Sequence, residues 1–255
     1  MFDSILLTDQ SIWLVIAAFY VADNVKRLRG NKLVFRETWR FGWKAAIPSK
    51  TLVILDRQLF LLPIFLPHVL TLEMNWFSDK TYDKARMRRA DRLLRVAQRR
   101  AFSLRCISVL GFVAFFIAGP LLTYWRGIVF ALLEISSIYI GLLLMLMLAL
   151  FFDRRFWRLR PSQVIYAVAE AAVCPAYLAN ATHRISWRSL SPDVDGGAYG
   201  LFKCTGSRLR EFKDALSFAL EELKLETPDD PTQAKRLKTY SEAVLQKSFA
   251  RQPDG

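Results

Sequence analysis

Histidine and cysteine are nearly missing from this chain, with two of the first and three of the second among 255 residues. A zinc site would need Cys174, His183 and Cys204 to converge from unrelated spacings, and no Cys-x-x-Cys pair exists. There is no serine elbow, zincin helix, dinucleotide fingerprint or kinase set. Gly196–Thr205 (GGAYGLFKCT) has the glycines of a phosphate loop. It fails that pattern, because Lys203 does not follow a glycine and no hydrophobic strand precedes it. Neither a cofactor nor a metal is therefore expected. Internal repeats and the inverted halves of transporters are also missing. Acidic residues are scarce, 23 against 36 Lys and Arg, which leaves a net charge of +13. That excess suits anionic lipid or nucleic acid. No DNA-reading motif or aromatic interleaving accompanies it, so nucleic acid is not an expected partner.

What the chain does have is apolar length. Cys106–Trp125 is an uncharged run of 20 residues, and Ile128–Phe152 is 25 residues with one charge, Glu134. Either run, as a helix, is long enough for a hydrocarbon core of ~30 Å. The second carries 16 Leu, Ile, Val and Phe residues, each worth roughly −0.3 to −0.6 kcal/mol near the bilayer centre. One carboxylate costs at most about 3 kcal/mol there, so insertion wins. A soluble hairpin would need a polar face, and Leu142–Phe152 has none. The two runs are therefore expected to form a transmembrane hairpin, with Trp125 and Trp157 in the aromatic belts at its ends.

Ile5–Ala22 is expected to be a first membrane helix. Asp3 and Asp9 lie before its apolar core, and Lys26, Arg27, Arg29 and Lys32 follow it, the reverse of a cleavable signal peptide. An interfacial helix competes with this reading, because the strictly apolar part is only Ile12–Ala22. Basic residues crowd 23–51, Lys80–Arg105 and the stretch Arg154, Arg155, Arg158, Arg160, whereas the turn between the long runs has only Arg126. By the positive-inside rule the N-terminus is outside and the C-terminus inside. The expected location is a bacterial inner membrane, multi-pass, with most of the soluble mass cytoplasmic and its cysteines reduced.

Leu52–Leu72 is apolar but contains Asp56, Arg57, His68 and two prolines, and it has basic stretches on both sides. The expectation is instead a small antiparallel cytoplasmic sheet. Its strands would be Leu33–Thr38, Trp43–Ile47, Leu52–Leu55, Gln58–Leu62 and Val69–Trp76. A re-entrant hairpin is the alternative. Asp79–Arg105 has Met87, Ala90, Leu94, Ala97, Ala101 and Leu104 at three-and-four spacing, the mark of an amphipathic helix running into the hairpin. Its exposed Arg88, Arg89, Arg92, Arg95, Arg99 and Arg100 are candidates for contact with anionic headgroups. The plainer reading is a solvated basic segment. Further on, Ser162–Val173 reads as a short helix, Pro175 as the start of another, and Ser189–Ser207 as a loop. Two amphipathic helices follow, with stripes Leu209, Phe212, Leu216, Ala219, Leu220, Leu223 and Leu237, Tyr240, Val244, Leu245, joined by the turn Thr227–Pro231.

The expected fold class is an integral membrane α-helical protein. Its divisions are an N-terminal membrane helix (1–25), a cytoplasmic β-rich segment (26–78), a basic helix (79–105), a transmembrane hairpin (106–152) and a cytoplasmic helical region (153–255). Three functions compete. The first is a structural or adaptor protein that presents a basic surface to anionic lipid and to a protein partner or second copy of itself. The second is a membrane-interface enzyme for a lipid-linked substrate, with Asp23, Asp56, His68, Glu170 and His183 as candidates. The third is an accessory transporter subunit, with Glu134 as its clue. Glu134 is equally explained as a helix-packing residue beside Ser136 and Ser137.

Overall fold

The computed structural model describes residues 2–28, 32–38, 42–47, 53–54, 57–77, 84–190, 192–226 and 231–242. Phe41, Pro48–Ser49, Asp56, the start of the basic helix at 79–83, the turn 227–230, Val244 and Leu245 lie outside the described residues. The chain is mostly helical and divides into two compact units. The first comprises Met1–Lys26, Leu61–Leu70 and Ala97–Leu190, and the second Arg27–Phe60, Thr71–Val96 and Ser191–Gly255.

The first unit is built on helices α1 (Phe2–Asn24), α3 (Phe102–Val113), α4 (Gly119–Arg126) and α5 (Ile128–Asp153). Two stretches are long and apolar enough to cross a membrane, Phe102–Arg126 and Ile128–Asp153. Between α3 and α4, Ala114–Ala118 is π-helical. Pro120 supplies the cause: it has no N–H to donate, and its ring crowds the preceding turn. The chain then reverses at Gly127, whose φ of 82° suits only glycine, and α4 and α3 both pack on α5. Only one stripe of α5 is buried, Ala131, Ile135, Leu142, Leu146 and Leu150. Most of the remaining apolar side chains, among them Leu133, Ile140, Leu144, Leu148 and Phe151, are exposed.

α1 is locked to the hairpin by Trp13, whose indole N–H donates to Thr123 Oγ1 at 2.9 Å. An added Cβ at Gly119 would stand 2.5 Å from the Trp13 ring. α6 (Pro161–Val173), α7 (Pro175–Ala179) and α8 (Ala181–Ser189) complete this unit, α6 on α5, α7 on α1 and α3, and α8 on α3.

Elsewhere the strands are β1 (Val25–Leu28), β2 (Lys32–Glu37), β3 (Trp43–Ala46), β4 (Val53–Ile54), β5 (Arg57–Leu61) and β6 (Thr71–Asn75). Five of these fall on predicted strands. The expectation of one sheet is corrected, because the strands form two sheets of three, in the orders β1-β5-β4 and β3-β2-β6. β1 carries two basic residues in four and no alternating pattern, so it gave no strand signal. In the second sheet Phe35 of β2 lies opposite Ala45 and Leu72, and Leu33, Val34 and Phe35 are all fully buried. A continuous apolar run is what a strand covered on both faces requires.

The basic helix α2 (Lys84–Arg100) has its break at Ala101, before α3. All six residues of its predicted stripe, Met87, Ala90, Leu94, Ala97, Ala101 and Leu104, are buried. In the second unit α9 (Gly196–Lys203) overturns the expected loop at 189–207. The Asp195 carboxylate accepts from the Ala198 N–H at 2.8 Å and from the Tyr240 hydroxyl at 2.7 Å, capping the helix. Its glycines mark close packing rather than a turn: a Cβ at Gly196 would meet Leu33, Met74 and Asn75 at about 3 Å. α10 (Ser207–Glu226) buries Phe212, Leu216, Ala219 and Leu220 and packs on α9 and α11 (Pro231–Ser241), which buries Leu237.

Gly119→Ala is expected to push Trp13 off Thr123 and cost about 1–3 kcal/mol, the usual effect of overpacking. Thermal unfolding of the purified protein in detergent, followed by Trp fluorescence, measures it as a lowered Tm.

Candidate functional site

The first unit brings together polar residues from the ends of α1 and α6 and from α8. Asp23 ends α1, Glu170 is near the end of α6, and Arg184 and Arg188 sit one turn apart on α8. The Arg184 guanidinium donates to Asp23 Oδ1 and to Glu170 Oε2, each at 2.6 Å. It also lies 3.9 Å from the centroid of the Tyr177 ring, a cation–π arrangement. Arg188 donates to Glu170 Oε2 at 3.0 Å, and Lys26 lies 3.8 Å from Asp23. Beneath this charged layer Asn24 and Asn180 are fully buried. Asn24 Nδ2 donates to Asn180 Oδ1 at 3.0 Å, and Asn180 Nδ2 donates to Asp23 Oδ2 at 2.9 Å. Next to them Ser108 Oγ accepts from the Thr182 N–H at 3.0 Å.

Burial pushes the Lys26 ammonium down, with Asp23 opposing and the two arginines adding to the fall. His183 is buried and faces the Pro63 and Leu66 carbonyls.

Four of the five residues considered for catalysis thus fall in one region: Asp23, Glu170 and His183 in the cluster, and His68 near enough to His183 to affect its charge. Asp56 is outside the described residues. Lys26, Asn24, Asn180, Arg184, Arg188, Ser108 and Thr182 were not expected from sequence as residues of a functional site. The usable signal was the isolation of Glu170, Asn180, Thr182, His183 and Arg184 in a stretch of alanines and other small or apolar residues.

The other candidates are separate. Glu134 accepts from Arg126 at 2.7 Å, a pair at the turn end of α5, and both side chains are substantially exposed. Ser136 and Ser137 are exposed, and Ser137 Oγ donates back to the Leu133 carbonyl of its own helix, so they do not pack against a neighbour as expected. Trp157 is also corrected: it is buried at 1% exposure rather than placed in an interfacial belt, while Trp125 is 70% exposed. Arg88, Arg89, Arg92, Arg95, Arg99 and Arg100 are all exposed on α2. Arg95 pairs with Asp91 at 3.2 Å and Arg100 with Asp153 at 2.8 Å. No group of three metal-ligating side chains is found among the described residues.

No protein-family model matches the chain, and neither does any curated protein or solved structure. The site's chemistry must be read from its geometry. One guanidinium bridges two carboxylates from two different helices, which makes a clamp.

Removing one partner of a buried ion pair costs about 3–5 kcal/mol, because the other charge is left uncompensated. Arg184→Met is expected to fall in that range, seen as a large drop in Tm. Adding Asp23→Asn and Glu170→Gln to Arg184→Met should recover more than half of the loss, since the stranded charges are then gone. No recovery would mean that Arg184 acts through packing alone.

Proposed function

We propose that the chain is an integral membrane protein with a structural or adaptor role, holding a basic surface against the inner face of a bacterial-type membrane. The observation that carries this is the apolar exterior of α5, where one stripe is buried and, apart from Glu134, Ser136 and Ser137 near the turn, the exposed side chains are Leu, Ile, Val, Met and Phe. In water that surface is far larger than a monomer exposes; in hydrocarbon it costs nothing. The charge asymmetry supports three passes, with the N-terminus and the Arg126 turn outside and the basic segments inside. The exposed arginines of α2 would then meet anionic headgroups, each adding on the order of 1 kcal/mol. A protein partner or a second copy would complete the adaptor role.

A membrane-interface enzyme for a lipid-linked substrate is the second reading, and the convergence of Asp23, Glu170 and His183 favours it. The arginines that engage both carboxylates count against it, because a general acid or base must be free to exchange its proton. An accessory transport role is weaker still, since Glu134 is engaged by Arg126 at a helix end.

Topology is tested with single cysteines in a cysteine-free variant, labelled in intact cells with an impermeant thiol reagent. Arg126→Cys should label, while Arg92→Cys and Lys224→Cys should label only after permeabilisation. Labelling of Arg92→Cys in intact cells would contradict the proposed orientation. The clamp triple variant separates the two roles. Normal abundance of this variant in membranes, with failure to restore a phenotype that the unaltered chain restores in a deletion strain, would favour the enzyme.

A further inference from the structure

The stretch after α5 belongs to the region expected to be cytoplasmic, where its apolar and small residues suggest that it lies against the membrane or the sheet, and its geometry points deeper. Leu159 N–H donates to the Arg154 carbonyl at 2.9 Å and Arg158 has a φ of 52°, so the chain turns back sharply at the end of α5. α6 then runs along α5 in the opposite sense. The Tyr139 hydroxyl donates to the Ala171 carbonyl, which places the last turn of α6 beside the midpoint of α5. From Asp153 back to Tyr139 is about 21 Å at ~1.5 Å per residue, roughly half of the ~39 Å length of α5, which brings the end of α6 near the middle of a ~30 Å hydrocarbon core that α5 spans.

The surface of α6 changes along its length. Arg155, Arg158 and Arg160 before it, and Ser162 and Gln163 in its first turn, are exposed. Beyond them every exposed side chain is apolar: Ile165, Tyr166, Ala169, Ala172 and Val173, with Val173 87% exposed. α7 and α8 are covered instead. Asn180 between them and Thr182, His183 and Ser186 of α8 are buried, Arg188, the one exposed residue of α8, is paired with Glu170, and the α7 backbone near Ala179 would lie 3.4 Å from a Cβ on Gly111 of α3. Buried or paired polar groups, small residues at helix contacts and an apolar outer face on α6 are the arrangement that hydrocarbon selects.

We propose that α6, α7 and α8 form a re-entrant element, with the Ile165–Tyr166–Ala169–Ala172–Val173 face of α6 against lipid acyl chains of the inner leaflet. The proposal rests on the membrane reading of α5 and deepens it. Two observations name lipid as the occupant. The α6 face continues the exposed apolar surface of the helix it packs on, and the basic collar at Arg155, Arg158 and Arg160 suits an anionic headgroup layer directly at its base. The Arg184 clamp joins this element to α1, so its charges are carried in paired form at that depth, as intramembrane charges are.

The test is spin-label depth measurement on the whole protein in anionic vesicles, with nitroxides at Gly141→Cys, Val173→Cys and Ile165→Cys in the cysteine-free variant. Gly141 lies on the exposed side of α5, with nothing within 4 Å of an added Cβ, and reports on the span itself. All three labels should be open to oxygen and several-fold less accessible to a water-soluble nickel complex than a label at Lys224→Cys. Val173 should lie deeper than Ile165. A lipid-like Gly141 with a nickel-accessible Val173 and Ile165 would overturn the re-entrant element and leave the span standing. A nickel-accessible Gly141 would overturn both. Low accessibility to both probes at Val173, with an immobilised spectrum, would mean that protein covers this face, and would also overturn the proposal. Ile165 keeps the test decisive if the Val173 variant does not accumulate.

Discussion

The Arg184 guanidinium reaches Asp23 at the end of α1 and Glu170 near the end of α6 from its own place on α8. Two neighbouring helices and the distant α1 are fixed by one planar cation whose donors are arranged to serve two carboxylates at once. Removing the charges from bulk water costs several kcal/mol per ion, and close pairing with further hydrogen bonds offsets it. Those further bonds are present. Arg188 shares Glu170, Asn180 shares Asp23, and Asn24 with Asn180 closes the layer below. Tyr20, Phe112 and Phe116 pack around Ala176 and Ala179 beside this layer. The polar layer sets the register.

The helices around that layer solve the same problem of unsatisfied polar groups by other means. The π-helical stretch before Pro120 keeps the ladder going past a residue that cannot donate. Trp13 and Thr123 satisfy each other between α1 and α4, and Tyr20 donates to the Ile64 carbonyl at 2.6 Å, occupying an acceptor on an irregular loop. In the proposed bilayer setting each of these bonds is obligatory, since no water would replace it. In the second unit, the same logic appears in a water-facing form. Asp195 caps α9 and accepts from Tyr240, and Lys203 reaches Asp91 on α2.

Much of the local structure was legible because it depends on composition and period. The two long apolar helices, the six buried positions of the stripe beginning at Met87, and five strand positions follow from local pattern alone. What was not legible depends on partners distant in sequence. α9 looked like a loop because its glycines suggest turns, and only the close approach of β2 and β6 at Gly196, Tyr240 at Gly197 and Phe212 at Gly200 explains them. β1 lacks any apolar alternation and exists because β5 pairs with it. Ser136 and Ser137 looked like packing residues by type, yet the buried stripe of α5 runs through Ala131 and Ile135 instead. The clamp was half visible, in that Asp23 and Glu170 stood out as carboxylates. Arg184 did not, because in a chain with 36 basic residues one more arginine carries no signal until its neighbours are known.

The central claim is that the apolar exterior of the first unit faces lipid and not a protein or water. Alkaline carbonate extraction of membranes from cells expressing the full chain tests it directly, since high pH strips peripheral proteins and leaves those embedded in hydrocarbon. The account predicts that the chain stays in the membrane pellet and is released only by detergent. Its release into the alkaline supernatant would contradict the account.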